Sequence, residues 1–177
     1  MPAWHARSLK NCCSEMGQPA YHLRPALKRD SGSIRRLIWR VHINPTNLDW
    51  RHFWVAVDPQ DRLLGCGQLK PHPDGSLEMA SIAVQPDYRR LGIAHAIIDR
   101  LMSQSGVPLY LRCAARMRAF YERFGFQVIP FEEMPAGYRR DWKIIAWIRK
   151  NLFPKMPGMC IMRLDEIADP LKRNTKS

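Results

Sequence analysis

The chain reads as an α/β (α+β) protein built on one mixed central β-sheet, an antiparallel meander followed by a parallel crossover, with helices on both faces. Three observations predict this. Apolar runs at Phe53 to Val57, Leu63 to Lys70 and Leu77 to Val84 are separated only by short turns. The helical spacing i, i+3, i+4, i+7 recurs before and after them, and later apolar runs alternate with helical ones, which demands a crossover.

Length and composition agree with one domain. The chain has 177 residues, 46% of them hydrophobic and 25% charged, enough for a sizeable core. Ile144 to Ile148 is far short of the roughly 18 apolar residues of a membrane span. The formal net charge is +12, which asks for an anionic partner without choosing among nucleic acid, membrane surface and small molecule. Five cysteines without C-x-x-C spacing point to buried free thiols at Cys66, Cys113 and Cys160, and so to a reducing, cytoplasmic compartment. Residues 1–18 hold no secretory apolar segment. They read as a flexible tail with Cys12 and Cys13, and organelle targeting by this mildly basic stretch is the alternative.

Taken in order, Ala20 to Ala26 alternates as a short strand. Asp30 or Ser31 caps a helix carrying Ile34, Leu37, Ile38 and Val41, which must end before Asn44-Pro45. Phe53 to Val57 and Leu63 to Lys70 form a hairpin across the Asp58 to Asp61 turn, with Gly65-Cys66-Gly67 marking a bulge or close packing. The turn His72 to Gly75 leads to the strand Leu77 to Val84, stopped by Gln85-Pro86-Asp87. A helix spans Gly92 to Ser105, with Ile93, Ile97, Ile98, Leu101 and Met102 on one face. Then come a strand at Val107 to Cys113, a helix at Ala114 to Arg123, and strands at Gly125 to Ile129 and Met159 to Leu164.

The chemistry concentrates at Ser81 to Met102. A strand enters a tight turn holding Arg89, Arg90, Leu91, Gly92, Ile93 and Ala94 and opening a helix. Such a turn aims unpaired backbone N–H groups and a helix N-terminus at one spot, a cradle for phosphate. Gly92 and Ala94 keep the approach clear, and the two arginines add charge. The six histidines lack metal-ligand spacing, so no metal site is expected.

Two motifs in sequence, V-x-P-x-Y-R-R-x-G-I-A at Val84 to Ala94 and F-Y-E-x-x-G-F at Phe120 to Phe126, make the chain resemble the GNAT superfamily of N-acetyltransferases from about Tyr21 to Leu164. The resemblance implies the GNAT fold and acetyl-CoA (coenzyme A) as cofactor. It places the pyrophosphate on Arg89, Arg90, Leu91, Gly92, Ile93, Ala94 and His95, and the pantetheine arm along Ile82, Ala83 and Val84 where that strand splays from its parallel neighbour. It also makes Tyr121 the proton donor to the departing thiolate. Glu78 lies where the histone-acetylating branch carries its basic glutamate, and strict alternation would put it on the side of Ile82 and Val84. Ala114 departs from the Asn that many members carry; Arg112, Arg116 and Arg118 are candidate phosphate contacts instead.

The resulting expectation is acetyl transfer from the CoA thioester to a primary amine, the acceptor being a small amine, an amino acid or a protein amine. The alternative is a CoA-binding sensor or interaction module with little turnover. The domain covers 19–166, with a tail at 167–177 and a basic helical insertion at 131–157. Between Tyr138 and Cys160 the insertion holds six basic residues against Asp141. Trp142, Ile145, Ile148 and Leu152 would form an apolar helix face between Pro135 and Pro154. Three readings of this segment stay open: a packed lid on the acceptor pocket, a homodimer contact, or a surface for membrane or RNA.

Overall fold

A computed structural model describes residues 20–151 and 158–166. The strands β1 (His22–Pro25), β2 (Phe53–Val57), β3 (Leu63–Pro71), β4 (Leu77–Val84), β5 (Leu109–Ala114), β6 (Gln127–Val128) and β7 (Met159–Leu164) form one sheet. Their order is β1-β2-β3-β4-β5-β7-β6. Only β4 and β5 pair in parallel, and the closing strand inserts between β5 and β6. The helices are α1 (Ser31–Arg40), α2 (Ile93–Gln104), α3 (Arg118–Glu122) and α4 (Ala136–Asn151).

Helical periodicity decides which face each helix covers. The α1 residues Ile34, Leu37 and Ile38 pack with Val55, Val57, Cys66 and Ala83 on one face. The α2 residues Ile93, Ile97, Ile98 and Leu101 pack with Met79, Leu109 and Leu111 on the other. Each such fully buried aliphatic side chain contributes about 1.5–3 kcal/mol. At Gly67 the predicted close packing is present: a Cβ there would lie 2.5 Å from Ile82 Cδ1 and 2.7 Å from Ile97 Cγ2.

Several boundaries differ from the sequence reading. Asp30 does not cap α1 with its side chain; the carboxylate turns back to accept from Leu27 N–H at 2.7 Å and from Arg24 at 2.7 and 3.1 Å. The helix expected over Ala114 to Arg123 is a 3-10 turn (Ala115–Met117) followed by the short α3, because β5 holds Ala114 in extended pairing with Met159. The Gly125 to Ile129 strand shrinks to β6, since Gly125 adopts φ +91° in a turn. The helix in the insertion is present as α4, with Trp142 packed on a cluster of Tyr110, Ile129, Met134, Tyr138 and Ile161. Leu152 and both tails lie outside the described residues.

The sheet carries one irregularity that matters for function. Cys66 pairs with Ala83 but Gln68 pairs with Ala80, so Ser81 and Ile82 together face Gly67, and Ser81 takes φ +55°. This is a β-bulge, and it inverts the alternation of β4. Leu77, Met79, Ile82 and Val84 all pack toward α2, whereas Ala83 packs toward α1. Glu78 therefore lies on the face opposite Ile82 and Val84, not on theirs as strict alternation predicts.

Candidate active site

The parallel pair is short. Leu77, Glu78 and Met79 pair with Leu109, Tyr110 and Leu111, and the register ends there. Beyond it β4 stays with β3 as far as Val84 opposite Gly65, while β5 stays with β7 as far as Ala114 opposite Met159. A wedge opens between the two strands, and the β5-facing edge of Ile82 to Val84 has no strand partner among the described residues.

The turn at the head of this wedge is built from backbone. Gln85 N–H closes on Leu64 O at 2.8 Å, a 3-10 turn covers Pro86–Tyr88, and Arg90 and Gly92 take left-handed φ values of +64° and +76°. A left-handed residue without Cβ costs little, which is why glycine suits position 92. Its carbonyl accepts the first bond of α2, from Ala96 N–H at 3.0 Å, so the N–H groups of Ile93, Ala94 and His95 precede the helical ladder. Nothing lies within 4 Å of a Cβ built on Gly92. Arg89 and Arg90 are exposed beside it. An open cradle of unpaired donors, a helix N-terminus and two guanidinium groups fits a pyrophosphate. His95 links this turn to α3, its ring centroid 5.3 Å from Phe120 and 5.1 Å from Phe124.

Tyr121 is half-buried on the same face as Ile82 and Val84. Its ring lies 5.1 Å from Phe120 and 6.2 Å from Phe126. Among the described residues its hydroxyl has no hydrogen-bond partner. Burial, with a smaller contribution from Cys113, pushes its pKa well above the usual tyrosine value, so the phenol keeps its proton.

Glu78 belongs to a different cluster, on the opposite face. It is 3% exposed. Its Oε1 accepts from Arg112 Nε at 2.9 Å, and its Oε2 from Arg112 Nη2 at 3.1 Å. His72 Nε2 sits 2.7 Å from Oε2. Tyr138 covers the group: its ring is 5.1 Å from His72 and 5.2 Å from the Arg112 guanidinium, and its Oη is 3.5 Å from His72 Nε2. Burial first, and then the Glu78 carboxylate, push the Tyr138 pKa up. Arg112 is thus paired with Glu78, and Arg118 with Glu122 at 2.6 Å.

The structure therefore gathers Ile82, Val84, the turn residues and Tyr121 on one face and sets Glu78 apart from them. The sequence reading missed His72 and Tyr138. Neither carries a local signal, since His72 sits in an ordinary turn and Tyr138 in the insertion. No group of three or more metal-binding side chains occurs among the described residues, and no helix there is long and apolar enough to cross a membrane.

Residues 49–128 match the family model of the acetyltransferase (GNAT) domain. Over that stretch the chain is similar to a GNAT acetyltransferase domain. Among curated proteins, an amino-acid acetyltransferase from Vibrio atlanticus is 26% identical over 106 residues, covering 54% of this chain. The matched segment spans only 24% of that relative. Among solved structures, Rv2747 from Mycobacterium tuberculosis in complex with CoA superposes with TM-score 0.63 at 23% identity, covering 82% of this chain and 99% of that one. The N-acetylglutamate synthase of Neisseria gonorrhoeae, complexed with coenzyme A and N-acetyl-glutamate, gives TM-score 0.66 at 19% identity, covering 85% of this chain and 36% of that one. The ribosomal-protein-S18-alanine N-acetyltransferase of Escherichia coli gives TM-score 0.59 at 19% identity, covering 82% and 94%. At these identities the likeness is one of fold, the mixed sheet being shared with these neighbours.

Proposed function

We propose that this GNAT domain is an acetyl-CoA-dependent N-acetyltransferase whose acceptor is a primary amine that attacks directly in a ternary complex. The observation that carries the reading is the wedge between β4 and β5, closed at its head by the left-handed turn and flanked by the proton-bearing Tyr121. Backbone N–H groups from Arg90 to His95, with the Arg89 side chain beside them because its own N–H donates to Pro86 O at 3.3 Å, hold the cofactor's pyrophosphate, and the open edge of Ile82, Ala83 and Val84 holds its pantetheine arm. Bound acetyl-CoA supplies the activated acetyl thioester. Tyr121 Oη, neutral and without a competing partner among the described residues, gives a proton to the leaving sulfur.

The acceptor amine must shed a proton before it can attack. Glu78 is the carboxylate on the opposite face at the point where β4 leaves β5. In this reading it takes that proton, with His72 Nε2 2.7 Å away to pass it on. The name of the Vibrio relative puts free amino acids first among acceptors to try.

The test is thiol release from acetyl-CoA across a panel of amino acids, polyamines and peptide N-termini, alongside calorimetric CoA binding. The expected result is release with at least one amine and a large loss in Tyr121→Phe. Tight CoA binding with no release on any amine would replace the enzyme by a CoA-binding sensor.

A further inference from the structure

Cys113 and Cys160 stand directly opposite each other on the antiparallel pair β5 and β7. Their sulfurs are 3.3 Å apart. Cross-strand neighbours of this kind have Cα atoms about 4.5–5.5 Å apart, inside the range a disulfide spans. The pair occupies the core on the wedge side: Cys113 is buried among Leu111, Phe124 and Met162, while Cys160 is half-buried at its margin. Tyr121 packs against the same cluster, and Cys113 adds to the upward shift of its phenol. Cys66 differs from both, being fully buried in the α1-side core with its thiol 3.8 Å from Ser81 O.

We propose that Cys113 and Cys160 form a peroxide-oxidisable dithiol, whose closure to a disulfide beside Tyr121 slows turnover. The effect on turnover rests on the acetyltransferase reading; formation of the disulfide does not. Burial and the hydrogen bond to Cys160 push the Cys113 thiol up to about 12, so Cys113 keeps its proton while the more exposed Cys160 meets the oxidant. The Cys160 sulfur attacks one oxygen of hydrogen peroxide. An S–O bond forms, the O–O bond breaks, and the first water leaves, carrying the thiol proton. The Cys113 sulfur then attacks Cys160: the S–S bond forms, the S–O bond breaks, and a second water carries off the Cys113 proton. Two thiols and one peroxide become one disulfide and two waters. The sulfurs must close from 3.3 Å to about 2.05 Å. That shift, at the strand pair supporting Tyr121, is of the size that costs on the order of tenfold or more in rate when a catalytic group moves with it.

The full-length protein is treated with hydrogen peroxide, alkylated and digested, and the peptides holding residues 113 and 160 are sought by mass spectrometry, with thiol release measured on the same samples. A cross-linked 113–160 peptide, a turnover loss on the order of tenfold reversed by dithiothreitol, and resistance of Cys160→Ser to peroxide are expected. Cys113→Ser, read the same way, replaces Cys160→Ser should that variant not fold. Separate alkylation of both cysteines after peroxide overturns the dithiol. A mapped disulfide with unchanged turnover overturns the switch. A mapped disulfide in a protein that turns over no amine even when reduced upholds the dithiol and refutes the acetyltransferase reading, so the two failures are told apart.

Discussion

The two faces of β4 are organised by opposite means. On the α2 side, the turn from Gln85 to His95 is contiguous in sequence and presents backbone N–H groups, its shape set by φ at Arg90 and Gly92. On the other side, the Glu78 cluster is made of side chains from β4, β5, the β3–β4 turn and α4, with His72 and Tyr138 separated by 66 positions. The first region should tolerate changes of side chain and resist changes of backbone. The second should behave in reverse, because a buried carboxylate depends on each partner.

The sharpest way to break this contrast is to remove one partner. Arg112→Met leaves Glu78, with a side chain 4% exposed, without its guanidinium, and the expected loss of stability is about 3–5 kcal/mol, read from denaturant unfolding. The double variant Glu78→Leu, Arg112→Met should recover most of it, since the uncompensated charge is gone. CoA affinity should stay within about twofold, because the turn shares no side chain with the cluster. A parallel collapse of CoA affinity in Arg112→Met would show that the two regions are one.

Tyr121→Phe is next in size. It removes the hydroxyl that the proposed reading gives to the leaving sulfur, and kcat should fall by about a hundredfold, with CoA affinity and unfolding midpoint unchanged. An unchanged kcat would shift the proton donor elsewhere and leave Tyr121 as one more ring beside Phe120 and Phe126.

The same contrast explains what the sequence could and could not disclose. Periodicity located α1, α2 and the meander because each buries its own regular stripe, as with Ile93, Ile97, Ile98 and Leu101. The shape of the turn was legible because a left-handed residue before a helix calls for glycine, as at Gly92. The side of Glu78 was not legible: period two holds only in an unbroken strand, and the extra residue at Ser81 reverses it. His72, Arg112 and Tyr138 meet Glu78 only after four elements have packed, so no local pattern marks them. The ends of the helix expected after β5 were misplaced for a similar reason, because pairing with β7, some forty-five positions later in the chain, keeps Ala114 extended.

A smaller effect tests the backbone side. Gly92→Ala meets no atom within 4 Å, so its whole cost is the φ of +76°, about 1–2 kcal/mol. The protein has two ways to respond. If the turn keeps its shape, stability falls by that amount and CoA affinity holds; if it relaxes, stability holds and CoA affinity falls by about tenfold. Neither loss appearing would mean that the left-handed conformation at Gly92 is unimportant. Calorimetric binding and thermal unfolding on one sample separate these outcomes.

The smallest effect is nil at neutral pH and compares the two regions directly. Tyr121 and Tyr138 both have pKa values raised by burial in the first place, Tyr121 next by Cys113 and Tyr138 next by the Glu78 carboxylate. A raised folded pKa means that the unfolded chain, where tyrosine titrates near pH 10, releases its proton first. Stability from each neutral phenol is therefore complete below about pH 10 and declines as pH rises from there toward the folded pKa. Unfolding midpoints from pH 8 to 11 should fall for the wild type, and fall less steeply for Tyr121→Phe and for Tyr138→Phe. The slope removed at position 138 should shrink in the Glu78→Leu, Arg112→Met background, where the carboxylate that adds to it is gone. The slope removed at position 121 should not, because burial and Cys113, and not Glu78, raise its pKa. Equal shrinkage at both positions would place the two tyrosines in a single electrostatic environment and dissolve the division between the faces of β4.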